Sequence, residues 1–373
     1  MKRNNYMVIS LILCFLLLIP QISGCGSNDG ANSDGANQGA NEEVKPIELV
    51  YSSGYAKNHP QVGVLAEQWM EKIYEATEGR VKMRGVYSGA LLKAEDTLEG
   101  VMKQTADAGS LVVSFWPGQL KLTNAISGTI DLDLGNKLDL RGVSEVTSKI
   151  FEEFPEFTEE YQKLGVTPLF WVPSPPYAIL FNDPVETVAD LQGKKVRSFG
   201  GHIPKLLEAG GAVPLTVAFG EIYTSLQTGV LDGAMTDPPA MLSGKFEEVS
   251  KHLTTTGPTI GALTAAAPVF FVINNDSFSK LSEKDQEIVK QVSREMIAIG
   301  AEAMAKEVDR SIAEMESKGV TVHHLSEAET QKWADNCPDW YSELAETLNK
   351  DGYRGTEIVN KYLEFANDYI AKN

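Results

Sequence analysis

Arg197 is the residue in this chain whose neighbours most favour chemistry. It ends a short strand expected at residues 194–197 and is followed by Gly200, Gly201 and a helix start at His202. A planar guanidinium at a strand end can grip a carboxylate through two parallel hydrogen bonds, and nearby amides can assist it. The competing role is a surface ion pair, because the chain carries 51 acidic residues against 33 basic ones. Other chemistry is poorly supported. His59, His202, His252, His323 and His324 show no zinc-ligand spacing, and no Gly-x-Ser-x-Gly elbow or phosphate loop occurs. Cys337, beside Pro338, sits in no nucleophile motif. No catalysis, metal or cofactor is expected.

A binding arginine needs a scaffold, and the composition allows one. The 373 residues are 43% hydrophobic and 8% aromatic, enough for a sizeable core in one large or two ordinary domains. The net charge of −18 opposes binding to a phosphate backbone, so nucleic acid is not an expected partner. Residues 47–51 and 81–86 read as strands separated by a helix, with Val62, Leu65, Trp69 and Ile73 at spacings of three and four. A helix over 94–103 and a third strand over 111–115 complete a doubly wound start, so the class is α/β. Strands at 167–171 and 177–181 flank Pro173, Ser174, Pro175 and Pro176, a stiff crossing into a second lobe. Ser282 and Asp285 read as a capping box, and the absence of proline up to Gly319 predicts one helix of about 50 Å over 283–318.

Three segments then carry a family resemblance. They are Val188-Ala-Asp-Leu-Gln-Gly-Lys-Lys-Val-Arg197, Gly211-Ala with Pro214, and Phe219-Gly-Glu-Ile-Tyr-Thr-Ser-Leu-Gln-Thr-Gly-Val-Leu-Asp-Gly233. Across about residues 47–350 the chain resembles the DctP receptors of tripartite ATP-independent periplasmic (TRAP) transporters. The resemblance implies a two-lobed periplasmic-binding-protein-like fold, with hinge strands and one long bracing helix, closing on a small carboxylate held mainly by an arginine, here Arg197. Sialic-acid receptors of the family carry a second arginine about 20 residues earlier, where this chain has Tyr177. In the region where several branches place an acidic residue with tryptophan or asparagine, this chain has Thr236 and Asp237. The expected ligand is therefore a monocarboxylate with an apolar, aromatic or lightly hydroxylated body, unless Lys57 supplies a second cation. Tyr55, Phe115, Trp116, Trp171, Tyr177 and Phe199 are the aromatic candidates for the cleft, although such residues also dominate ordinary cores.

The N-terminus adds an address. Lys2 and Arg3 precede an apolar run over residues 7–20 that is too short to span a bilayer, and it ends in Ile22-Ser-Gly-Cys25. This resembles a bacterial lipoprotein signal, with residues 1–24 removed and Cys25 acylated as a membrane anchor. Residues 25–46 are too polar to order themselves and form a tether with a reach of roughly 25 Å. Lobe I is expected from 47–174 plus 262–298, and lobe II from 175–261 plus 299–373. The expected function is an extracytoplasmic, lipid-anchored receptor that delivers a small organic acid to a TRAP permease. The competing reading is a membrane-anchored sensor or enzyme on the same two-lobed fold.

Overall fold

The computed structural model describes residues 45–127, 134, 137–263 and 268–373. The expected signal peptide, Cys25 and the tether up to residue 44 lie outside the described residues. The strands described are β1 (Ile47–Ser52), β2 (Val81–Val86), β3 (Ala108–Leu111), β4 (Val166–Pro173), β5 (Ala178–Phe181), β6 (Lys195–Ser198), β7 (Val213–Thr216), β8 (Gly233–Thr236), β9 (His252–Thr255), β10 (Pro268–Asn274) and β11 (Thr321–His324). They form two sheets, ordered β2-β1-β3-β10-β4 and β11-β9-β5-β8-β6-β7. In the first, β1 runs parallel to β2 and β3, while β10 is antiparallel to β3 and β4. In the second, β6 runs parallel to β7 and β8, and β5 is antiparallel to β8 and β9.

Each sheet buries its own apolar layer. The helix Leu65–Ala76 turns Leu65, Trp69 and Ile73 onto the first sheet, where Tyr51 stacks on Phe271 with ring centres 6.0 Å apart. The second core gathers Phe181, Val196, Leu206, Met235 and Trp333, whose indole N–H donates to the Leu206 carbonyl at 2.7 Å. The chain leaves the first sheet through Ser174, Pro175, Pro176 and Tyr177, the crossing expected from its prolines. The long helix runs Glu283–Ser317, capped by Ser282, whose hydroxyl accepts from the Asp285 amide at 3.1 Å. Val289, Val292 and Met296 join the first core and Met315 packs with the second sheet, so this helix braces both. Its Gly300 permits the close approach, since a Cβ there would lie 2.8 Å from a Val172 methyl.

Two expectations shift. The third strand is β3 at Ala108–Leu111 rather than 111–115, and residues Val113–Phe115 form a 3-10 turn. The small residues of β3 decide this: a Cβ on Gly109 would lie 2.6 Å from Thr97, so the helix Thr97–Met102 sits directly on that strand. The helices Trp340–Lys350 and Gly355–Ile370, expected in lobe II, pack instead on the first core through Leu348, Ile358, Tyr362 and Tyr369. Gly355–Ile370 lies on the helix Leu140–Glu153, where Tyr369 donates to Asp139 at 2.9 Å, and Trp340–Lys350 packs on Gly355–Ile370 and on the helix Lys121–Ile126.

Candidate functional site

Strand direction brings the candidate residues together. Because β6, β7 and β8 are parallel, their carboxyl ends share one edge, which carries Arg197 and Phe199, Val217, and Thr236 and Asp237. Antiparallel β5 begins at that edge, with Ala178 opposite Thr236, so Tyr177 joins them. The first sheet presents the matching edge. The ends of β1 and β3 lead to Tyr55 and Phe115, and Pro268 of β10 faces Pro173 of β4 beside Ser174. Between the edges lies a narrow cavity of about 40 Å³, lined by Tyr55, Tyr177, Arg197, Phe199, Thr236 and Asp237. The remaining lining includes His59, Gln61, Phe115, Ser174 and Phe219.

Arg197 is 3% exposed, and no carboxylate lies within ion-pairing distance of it among the described residues. Its Nε donates to the Val217 carbonyl and Nη1 to the Met235 carbonyl, both at 3.2 Å. A guanidinium has five N–H groups, so one on Nη1 and both on Nη2 stay free. The Phe199 ring stacks under the cation at 4.7 Å, fixing its plane. Burial lowers its pKa to about 10, partly offset by Tyr55, Tyr177 and Asp237, so it remains charged at neutral pH. Asp237 is not its ion-pair partner. One Asp237 oxygen accepts from the Ala240 amide at 2.9 Å as the cap of the helix Pro238–Ser243, and burial raises the carboxyl to about 6.

The rings across the gap touch. Tyr55 of the first side lies 5.0 Å from Phe219 of the second and 5.0 Å from His59. Burial pushes the Tyr55 hydroxyl up to about 12 and the His59 imidazole down to about 4, so both are neutral. Gln61 donates its amide to the Val172 carbonyl at 2.9 Å and to Ser174 at 3.2 Å, which holds the crossing strand in place.

Two expected residues lie elsewhere. Trp171 stacks on Phe151 at 4.9 Å and its N–H donates to the Ser144 carbonyl at 3.4 Å, while Trp116 is buried in the same cluster. The 3-10 turn after β3 gives the cavity to Phe115 and the core to Trp116. Lys57 is committed to Glu67 at 2.8 Å and does not line the cavity. His59, Gln61 and Phe219 escaped the sequence reading. His59 had a signal in its place between β1 and a proline-led helix start, while Phe219 opens the segment 219–233 that carries the family resemblance. Cys337 is half-buried, with its thiol pushed up to about 11 by burial, unlike a nucleophile. Among the described residues no cluster of three metal-ligating side chains occurs, and no helix is long and apolar enough to cross a membrane.

Comparison with known proteins places the chain. The sequence profile of DctP, bacterial extracellular solute-binding protein family 7, matches residues 51–347. This chain belongs to that family. A solute-binding protein of Albidiferax ferrireducens is 26% identical over 275 residues, which cover 73% of this chain and 77% of that one. In fold, the chain is similar to a TRAP periplasmic solute-binding protein from Bordetella bronchiseptica with bound (R)- and (S)-mandelate. That match has a TM-score of 0.76 at 22% identity, over 87% of this chain and all (100%) of that one. A TRAP solute-binding protein from Rhodoferax ferrireducens with copurified benzoate matches with a TM-score of 0.78 at 16% identity, over 87% and 99%. The architecture is thus the two-lobed periplasmic-binding-protein fold of TRAP receptors. As a family 7 protein, the chain stands among solute-binding receptors rather than enzymes.

Proposed function

We propose that this receptor captures a small monocarboxylate at Arg197, outside the cytoplasmic membrane, and hands it to the permease of a TRAP transporter. One observation carries the reading: Arg197 is a buried cation with no counter-carboxylate among the described residues and three free N–H groups in an aromatic-lined cavity. A bound carboxylate supplies the missing charge and two parallel hydrogen bonds. No other lysine or arginine lines the cavity among the described residues, Tyr177 standing where a second arginine is found in sialic-acid receptors. A second ligand carboxylate would therefore be buried unpaired near Asp237, at a cost of several kcal/mol. The mandelate and benzoate of the two fold relatives are monocarboxylates on compact apolar bodies, which supports the same class.

Acylation of Cys25 would keep the receptor at the membrane surface, and the polar stretch up to residue 46 would let it turn towards its permease. The lobes, meeting near residues 174 and 262, would open and close about the crossing strands, with ligand contacts on both sides favouring closure. The test is a monocarboxylate and dicarboxylate panel read by thermal shift and calorimetry, followed by mass spectrometry of what the protein releases. A receptor prefers the monocarboxylate of each matched pair and returns it unchanged. A consistent dianion preference, or a chemically altered product, overturns the reading.

A further inference from the structure

Tyr177 and Phe199, in edge contact at 5.2 Å, line the Arg197 cavity and also a second, adjoining chamber of about 20 Å³, room for about one water-sized group. No Asp, Glu, Lys or Arg lines this chamber among the described residues. Two residues of its lining carry a buried polar atom with no hydrogen-bond partner among the described residues: Ser114 (Oγ), from the loop after β3, and His202 (Nε2), from the turn after β6, whose ring also lies 5.8 Å from that of Trp340, itself with an unpartnered Nε1. They come from opposite sides of the cleft. His202 is only 2% exposed, so water outside the chamber does not satisfy its ring. Buried polar atoms are normally paired, and two orphans in one chamber call for an occupant.

The backbone makes room for it. Gly200 has φ +98°, and a Cβ there would lie 2.9 Å from the Ser114 carbonyl oxygen, so only glycine lets the two sides meet at this point. Gly201, at φ +62°, keeps the space beside the Ser114 side chain clear.

The geometry points to a second subsite in which Ser114 and His202 hold an uncharged hydroxyl or carbonyl group of the ligand whose carboxylate sits at Arg197. This rests on the monocarboxylate reading and narrows it to hydroxy or keto monocarboxylic acids. A hydroxyl fits both orphans, donating to one and accepting from the other. A second carboxylate does not, because burial holds the His202 imidazole neutral, its pKa lowered to about 4, and no cation lines the chamber among the described residues.

The test uses the full-length receptor, freed of copurified ligand, and calorimetry of matched acids with and without one oxygen function: benzoate and 3-hydroxybenzoate, phenylacetate and 3-hydroxyphenylacetate, phenylacetate and mandelate, butyrate and 3-hydroxybutyrate. In at least one pair the oxygenated acid binds about tenfold tighter or more. That ratio falls below about threefold in Ser114→Ala and in His202→Phe, each checked for native folding by circular dichroism, so that either variant suffices if the other fails to fold. Equal binding within every pair, as expected if the chamber holds only water, overturns the subsite. So does a ratio that survives in the folded variants. Failure of the parent reading looks different: the unsubstituted acids then bind independently of Arg197, or no monocarboxylate binds.

Discussion

Replacing Arg197 by alanine is the sharpest test of the site. The side chain donates to two backbone carbonyls, Val217 and Met235, and keeps three N–H groups for a ligand, enough for two parallel bonds to one carboxylate. Removing such a buried, charge-assisted pair costs about 2 to 5 kcal/mol of affinity, or about 30-fold to 4,000-fold in Kd. Folding should respond much less. The variant strips donors from the two carbonyls, yet it also relieves the burial of a cation whose pKa that burial has lowered to about 10. These effects oppose each other, so the ligand-free melting temperature should move by about 5 °C or less. Arg197→Lys keeps the charge and loses the planar fork, and should fall between wild type and alanine. The assay is calorimetry with the tightest acid from the panel, with circular dichroism on the same samples. A Kd within about twofold of wild type in a folded Arg197→Ala protein removes this residue from the site.

Other outcomes follow from the same geometry. Burial holds Asp237 at about 6, above its ordinary 3.8, so the folded state takes up a proton between those values; Asp237 costs stability at pH 7, and the cost fades as the pH falls towards 4. Asp237→Asn keeps the helix cap and should raise the melting temperature at pH 7 more than at pH 4.5; an equal gain at both refutes the buried charge. A bound carboxylate near Asp237 favours its protonated form, so affinity should rise about threefold to tenfold from pH 7 to pH 5.5 in wild type and stay flat in Asp237→Asn. His59, with its pKa near 4, does not titrate in that range. Gly200→Ala, clashing with the Ser114 carbonyl, should weaken ligand binding and keep the radius of gyration in solution scattering at its ligand-free value; normal compaction on binding refutes that contact as part of closure. Cys25→Ser should leave the precursor uncleaved or release the protein from membranes, and membrane association equal to wild type refutes the anchor.

Much of this was legible because local patterns carried it. The helix with Leu65, Trp69 and Ile73, preceded by the π-helical turn Pro60–Val64 that holds Val62, the strand at Val81–Val86 and the long helix from Glu283 follow from periodicity, capping and the placement of proline, and all three stand in the structure. Arg197 could be singled out because a strand, two glycines and a helix start surround it within six residues. The sequence could not say which ring of a neighbouring pair faces the ligand. Phe115 and Trp116 are adjacent and chemically alike, and one turn, set by the helix packing on Gly109, gives the first to the cavity and the second to the core. Trp171 went to the core for a similar reason, its face of β4 being covered by Phe151 and Phe270. The C-terminal helices, far along the chain, returned to the first core because the last one found the helix Leu140–Glu153 there and the other packed on it, a choice no local pattern encodes. The same holds for Ser114 and His202, 88 positions apart, whose unpartnered atoms share a chamber only once two sheets meet edge to edge. Sequence spacing sets which face of an element is apolar; which faces meet, and what is left empty between them, is decided by packing.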